Sequence, residues 1–457
     1  MQKNETVTVH ITDYTQEGLG VGRAGNMAVF VKDTVIGDTV LAQITKVMKT
    51  YAYGRVKEIL EKSPDRITPP CPVARPCGGC QIQMMQYQAQ LRYKEEKVRN
   101  CLMRIGGFSR VDLSDAVMEP IIGMEDPYRY RNKAQFPVGK DREGMLTAGF
   151  YAGRTHSIID CRDCLIGTEE NQAILDTVLR HMEIHGIEPY DETTGTGCVR
   201  HIMTRKGFAT GQIMVVLVIN ADAILAEEDL AEELWKIPGM TSLSVNTNTR
   251  NTNVIFGSRT RTVRGTDYIE DMIGDVRFRI GERSFFQVNP SQTGKLYATA
   301  LEFAGLTGSE TVWDLYCGIG TISLFLARKA GKVYGVEVIP EAIENARENA
   351  ALNGIGNARF FAGKAEEVLP EKYASEKIRA DVIVVDPPRK GCERAVLDTM
   401  VAMQPERIVY VSCDPATLAR DLKYLCENGY RLKKVRTCDM FAHTVHVETV
   451  VLMTKNT

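Results

Sequence analysis

The stretch Thr311-Val312-Trp313-Asp314-Leu315-Tyr316-Cys317-Gly318-Ile319-Gly320 decides the fold. It is a short apolar run that closes in a Gly-x-Gly turn and leads into the helical pattern ISLFLARKA (322–330). Three further apolar runs follow: KVYGVEV (332–338), ADVIVVD (380–386) and RIVYVSC (407–413). After the second comes PEAIENARENAALNG (340–354), with apolar residues at helical spacing and Gly354 placed as a C-cap. Apolar strands alternating with helices predict an α/β fold from Phe285 onward, with a mostly parallel sheet covered on both faces. In such sheets ligands bind beyond the C-terminal ends of the strands, so the four strand ends are where function is expected.

The first end is the loop Asp314 to Gly320. Its glycines let a ligand approach the backbone and feed a helix directly, but Ser323 occupies the third-glycine position of the dinucleotide fingerprint. An acidic residue followed by Gly-x-Gly is instead the usual form in S-adenosylmethionine enzymes. The second strand ends at Glu337, a carboxylate placed to hold the two ribose hydroxyls of an adenosine. The third ends in Asp386-Pro387-Pro388-Arg389-Lys390-Gly391, where two prolines stiffen the turn and hold Asp386 over the sheet edge. This turn is typical of enzymes that methylate a flat base. The fourth ends at Ser412-Cys413-Asp414-Pro415 before a helix, whose dipole is expected to favour the Cys413 thiolate. Carbon 5 of a pyrimidine becomes nucleophilic only after something adds to carbon 6, and thiolate is the usual adduct former. Glu448, on the last apolar strand, is the candidate base for removing the carbon 5 proton.

The remainder of the chain reads as two further units. With 457 residues, two or three domains are expected. Residues 1–63 read as a small β-barrel, with strands Val7–Ile11, Ala28–Val31, Thr39–Lys46 and Tyr51–Ile59 between Gly-rich turns. Lys46, Lys49, Arg55 and Lys57 alternate there with Tyr51 and Tyr53, as cations for phosphate and rings for base stacking would. Prolines from Pro64 to Pro76 mark a linker into a cysteine-rich stretch, followed by a basic helical segment from Met84 to Ile105. Residues 64–284 are taken as a central α+β domain and 285–457 as the catalytic domain. Two basic sets in the central part are candidate RNA contacts: Arg129 with Arg131 and Lys133, on alternate strand positions, and Arg200 with Arg205. The net charge of −2 argues against a protein that coats nucleic acid nonspecifically. No apolar stretch is long enough to span a membrane and no signal peptide is read, so a cytoplasmic protein is expected. The twelve cysteines then read as ligands or nucleophiles rather than a disulfide framework.

Taken together, FFQVN (285–289), DLYCGIG (314–320), DPPRKG (386–391), SCDPATLARD (412–421) and HVETVVLM (446–453) resemble the RumA/TrmA family of RNA uracil-5-methyltransferases. The resemblance spans the whole C-terminal domain and implies a Rossmann-like fold. It implies that Gln287, Tyr316, Glu337 and Asp386 contact S-adenosylmethionine, that Cys413 is the nucleophile and that Glu448 is the base. Thr321 departs from the asparagine of many relatives. Cys71-x5-Cys77-x2-Cys80 matches three ligands of the [4Fe-4S] cluster in the ribosomal members, although spacing alone suits zinc as well. The fourth ligand is Cys161 or Cys164, of which Cys164 fits the family position better. The barrel resembles the TRAM domain, an OB-like module. Since transfer-RNA members are expected to lack both barrel and cluster, the resemblance implies a monomeric 23S ribosomal RNA enzyme, with neither DNA nor membrane as partner. A DNA cytosine methyltransferase would instead place a Pro-Cys nucleophile early in its catalytic domain, and a base-nitrogen methyltransferase would leave Cys413 unexplained.

Overall fold

A computed structural model describes residues 1–153 and 155–456. Its N-terminal part is a closed barrel of five strands, Thr6–Tyr14, Gly20–Ala24, Met27–Lys32, Thr39–Val47 and Tyr51–Glu61. Alternate residues Val9, Ile11, Val29, Val31, Val40, Ala42 and Ile44 fill its interior. Sequence reading expects four strands, because Gly18 to Gly22 looks like a turn. The structure makes Gly20–Ala24 a strand, and its glycines are there for space. A Cβ on Gly22 would stand 2.2 Å from the His10 carbonyl oxygen, and one on Gly20 would stand 2.0 Å from Thr34 Oγ1.

The C-terminal part is built on an eight-stranded sheet in the order Ala358–Ala362, Lys332–Glu337, Thr311–Leu315, Val382–Val385, Arg407–Ser412, Glu448–Lys455, Tyr430–Cys438, Met118–Ile122. The first five strands are parallel, as the apolar runs predict, and Glu448–Lys455 enters antiparallel. Met118–Ile122 lies within the span read as central, yet it extends this sheet by pairing with Tyr430–Cys438. Between the barrel and that strand, the helix Tyr87–Arg104 packs on the helix Pro415–Glu427.

A second sheet of seven strands runs Arg259–Gly265, Met240–Thr247, Ile213–Ile219, Val199–Lys206, Lys133–Lys140, Leu146–Tyr151, Ile158–Asp160. The helices Glu170–Ile184 and Glu227–Leu234 cover one face through Leu175, Val178, Leu230 and Leu234. Met203, Met214 and Val216 on the other face join the apolar core of the catalytic part. No helix among the described residues is long and apolar enough to cross a membrane.

The arginines singled out in this region hold the fold together. Arg205 is buried and donates to the carbonyls of Gly281 and Ser284 at 2.7 and 2.9 Å. Arg200 donates to those of Asn248 and Arg250 at 2.9 and 2.7 Å, with its guanidinium over the Tyr190 ring. Arg129 does not lie on a strand, because its φ is +50° and the strand begins at Lys133. Its guanidinium pairs with Asp163 at 2.6 Å. A guanidinium's five donors serve backbone carbonyls as well as phosphates, and sequence spacing does not separate the two uses.

Candidate active site

Four strand ends and one returning strand meet at one edge of the large sheet. Beyond Leu315 the chain turns at Tyr316, whose φ of +67° places a non-glycine residue in the left-handed region. Gly318 follows with φ +54°, and a Cβ there would meet nothing within 4 Å, so the loop faces open space. The Gly318 amide donates to Glu337 Oε2 at 3.2 Å, and the Ile339 amide donates to Oε1 at 3.1 Å. Glu337 is therefore held by the loop it faces. Behind the loop, buried Asp314 accepts from Ser323 Oγ at 2.5 Å.

Asp386 follows the strand Val382–Val385, and Cys413 follows Arg407–Ser412. Ser412 pairs with Thr449 in the antiparallel ladder, so the next position along brings Cys413 beside Glu448. Gln287, Tyr316, Glu337, Asp386, Cys413 and Glu448 all line a single cavity of about 1890 Å³. A nucleoside cofactor and a flipped base both fit a space of that size.

The electrostatics of this cavity are acidic and poorly solvated. Burial pushes the Glu448 carboxyl up to about 8; the nearby Asp386 charge adds to this and Arg389 opposes it. Burial also lifts Asp386 to about 6 and Asp314 to about 7. Cys413 differs from the sequence expectation of a favoured thiolate. Burial and the carboxylates of Glu448 and Asp386 push its thiol up to about 12. The helix behind it gives little compensation, because Asp414 already caps its N-terminus by accepting from the Ala416 and Thr417 amides at 2.9 and 3.0 Å. The cation that counters these shifts is Arg389, which sequence reading quoted inside DPPRKG without giving it a role.

Two sets of contacts fix these groups. Buried Asp421 accepts from Tyr410 Oη at 2.6 Å, from the Cys392 amide at 2.9 Å and from Arg420. Arg420 also donates to the Lys390 carbonyl at 3.0 Å, so the helix after Cys413 clamps the turn that carries Asp386. On the other side, Lys94 and Lys97 of the helix Tyr87–Arg104 donate to the carbonyls of Phe441 and Val445, both at 2.9 Å. The segment they hold leads into Glu448.

Cys71, Cys77, Cys80, Cys161 and Cys164 line another part of the same cavity. Burial raises Cys71 and Cys77 and takes Cys80 to about 12. Cys164 is held low, at about 6, chiefly by the thiol of Cys161, with the Ile166 and Gly167 amides adding to this against burial. Among the described residues no three such side chains are gathered for a single metal ion. Four or more cysteines, with the Gly79 amide donating to Cys77 Sγ at 3.4 Å, are a donor set that suits either zinc or an iron–sulfur cluster.

The TRAM domain profile matches residues 1–57, and the tRNA (Uracil-5-)-methyltransferase profile matches residues 210–456. An uncharacterised RNA methyltransferase of Halalkalibacterium halodurans is 51% identical over 454 residues, covering 99% of this chain and 98% of its own. One from Clostridium acetobutylicum is 49% identical over 454 residues, with the same coverage of 99% and 98%. Among solved structures, the Pyrococcus abyssi tRNA (uracil-54, C5)-methyltransferase in complex with S-adenosyl-L-homocysteine is 25% identical. It superposes with a TM-score of 0.78 over 98% of this chain and 99% of its own. That match extends over the barrel, so a barrel does not separate ribosomal from transfer-RNA enzymes as the sequence reading supposed. With the barrel, the sheet and the strand-end residues in place, the chain belongs to the tRNA (uracil-5-)-methyltransferase family of S-adenosylmethionine-dependent RNA methyltransferases.

Proposed function

We propose that this protein makes 5-methyluridine in 23S ribosomal RNA, with Cys413 as nucleophile and Glu448 as base. The observation that carries the chemistry is the meeting of Asp386, Cys413 and Glu448 at neighbouring strand ends in one cavity. Bound S-adenosylmethionine supplies an electrophilic methyl group on a sulfonium. Gln287, Tyr316, Glu337 and Asp386 hold it, with Glu337 pre-set by two backbone amides. Cys413 gives up its thiol proton to solvent as its sulfur adds to carbon 6 of an unstacked uridine, and the carbon 5–carbon 6 electron pair moves to carbon 5 and the carbonyl. Carbon 5 takes the methyl group as the methyl–sulfonium bond breaks, its electron pair stays on sulfur and S-adenosylhomocysteine is left. Glu448 then removes the carbon 5 proton, the double bond re-forms and the thiolate leaves.

The RNA path is supported by a second groove that reaches Cys413 from the barrel. Phe30, Lys46 and Tyr53 of the barrel line it together with Arg104, Arg389 and Cys413. The rings of Phe30 and Tyr51 stack at 5.0 Å and Tyr53 meets both edge-on, which is a platform for bases. The choice of 23S RNA rests on the cysteine wall, which Cys71, Cys77, Cys80 and Cys164 provide for a [4Fe-4S] cluster in a structural role. The likeness to a transfer-RNA enzyme favours transfer RNA as the second reading. A cytoplasmic monomer suits either substrate.

Methyl transfer from labelled S-adenosylmethionine to unmodified 23S RNA and to transfer RNA, followed by nucleoside mass spectrometry, separates the two. 5-Methyluridine in 23S RNA alone supports the proposal. Product in transfer RNA alone leaves the chemistry standing and removes the substrate assignment.

A further inference from the structure

Glu448 is aimed by the chain that delivers it. It is the first residue of its strand, with Cys438 opposite on one side, and the ladder to Ser412 starts only at Thr449 on the other. Its carboxyl meets burial and the charges of Asp386 and Arg389, with no hydrogen bond among the described residues to hold it. The irregular segment 439–447 therefore sets where Glu448 stands. The carbonyls of Asp439, Met440 and Ala442 accept from Gln292, Asn289 and Tyr130, each at 3.1 Å.

At His443 the grip reaches main chain and side chain alike. Its φ of +67° is a left-handed conformation that costs a non-glycine residue free energy and persists only where the surroundings impose it. Buried Gln90, on the helix Tyr87–Arg104, imposes it. Gln90 Oε1 accepts from the His443 amide at 2.9 Å. Gln90 Nε2 donates to the His443 ring Nδ1 at 3.2 Å and to the Met85 carbonyl at 2.8 Å. An amide nitrogen only donates, so Nδ1 accepts and the ring proton sits on Nε2. The Tyr128 ring stacks on His443 at 4.6 Å.

We propose that Gln90 and His443 are positioning residues for proton removal: by locking the turn at His443 they deliver Glu448 to the carbon 5 proton of the methylated adduct. Neither lines the cavity, so loss of their grip should spare the addition of Cys413 and the methyl transfer. The step it slows is the last one. There Glu448 takes the carbon 5 proton, the freed pair re-forms the carbon 5–carbon 6 double bond, and the carbon 6–sulfur bond breaks with its pair on Cys413. This inference rests on the assignment of Glu448 as base.

The test uses the full-length chain and whichever of unmodified 23S RNA and transfer RNA the wild type methylates. Gln90→Met, His443→Gly, His443→Asn and Glu448→Gln are compared with wild type. S-adenosylhomocysteine binding reports folding, trapping of 5-fluorouridine RNA reports addition and methyl transfer, and denaturing gels report adduct left by ordinary RNA. Glycine suits a φ of +67° without strain, so His443→Gly should fold while losing the ring contact. Asparagine tolerates that conformation and offers Oδ1 in place of Nδ1. Gln90→Met and His443→Gly should trap 5-fluorouridine RNA within about twofold of wild type, turn over about tenfold more slowly, and accumulate adduct with ordinary RNA. His443→Asn should recover most of the turnover. If Gln90→Met fails to bind S-adenosylhomocysteine, the two His443 variants decide. Grip variants that turn over as wild type does overturn the positioning role. So do variants whose trapping falls as far as their turnover, because a merely structural defect slows every step. His443→Asn no faster than His443→Gly overturns it as well. Adduct in Glu448→Gln but in neither grip variant overturns the positioning role alone. A wild type that methylates neither RNA, or a Glu448→Gln enzyme that leaves no adduct, overturns the assignment of the base and this inference with it.

Discussion

Lys94 Nζ lies 2.6 Å from Asp439 Oδ1, and solvent reaches neither side chain. Tyr87 Oη donates to the other Asp439 oxygen at 2.9 Å, and Lys94 also donates to the Phe441 carbonyl. Removing one partner strands a charge in the interior, which costs about 3–5 kcal/mol. Asp439→Leu and Lys94→Met are each expected to lose stability on that scale in urea unfolding. The double variant should lose less than the two single losses added together, because it leaves no unpaired charge. Additive losses would mean that the pair is not coupled as its geometry implies.

Glu448 sets the pH dependence. Its carboxyl is raised to about 8, so the free site holds it mostly protonated at neutral pH. If it acts as the base, proton removal should speed up about tenfold per pH unit below 8 and level off above. The stability effect runs the other way. The folded carboxyl binds a proton more tightly than the unfolded one, so the fold is favoured while that proton stays on. The advantage is lost as pH rises from the unfolded value through about 8. Glu448→Gln cannot ionise. It should melt closer to its pH 6 temperature at pH 8 than wild type does, while product release stalls. A pH–rate profile flat between 6 and 8 would remove Glu448 from the role.

Cys413 is buried among carboxylates that oppose its ionisation, so its thiolate is expected to form only as it attacks. Cys413→Ala should reduce turnover roughly a thousandfold or more, equivalent to at least about 4 kcal/mol of transition-state stabilisation. With 5-fluorouridine RNA, wild type should form a covalent adduct that survives denaturing gels, because fluorine does not leave as a proton. Cys413→Ala should form none. An adduct in the variant would place the nucleophile elsewhere.

The legible parts of this protein are those whose reasons are local. Apolar runs such as ADVIVVD became parallel strands, and their ends brought Asp386, Cys413 and Glu448 together, because the fold rule itself assigns ligands to strand ends. Long-range partners were not legible. Lys94 read as one more cation on a basic helix, yet its partner lies 345 residues away and both are buried. Arg200 and Arg205 looked like an RNA face and are spent on carbonyl groups of distant loops. The Met118–Ile122 strand has nothing local to show that it completes a sheet by pairing with Tyr430–Cys438, far along the chain. The raised Cys413 thiol follows from neighbours that only the assembled cavity provides, while the helix dipole that seemed to favour it is met by Asp414.

Gly391 tests whether the turn carrying Asp386 is positioned by the helix behind it. Its φ is +75°, and a Cβ would stand 2.7 Å from Asp421 Oδ2 and 2.6 Å from Arg420 Nη2. Gly391→Ala therefore combines left-handed backbone strain of about 1–2 kcal/mol with displacement of the carboxylate that holds the Cys392 amide. The displaced turn should carry Asp386 away from the cofactor while leaving the barrel and Glu337 in place. Cofactor binding measured by calorimetry is expected to weaken about tenfold, and kcat/KM for RNA to fall further, because a small misplacement of reacting groups costs more in the transition state than in binding. Asp421→Asn, which keeps the volume and removes the charge, should shift both quantities in the same direction by a smaller amount. If both variants bind cofactor and turn over as wild type does, the turn is held by its own prolines and the helix contributes nothing to it.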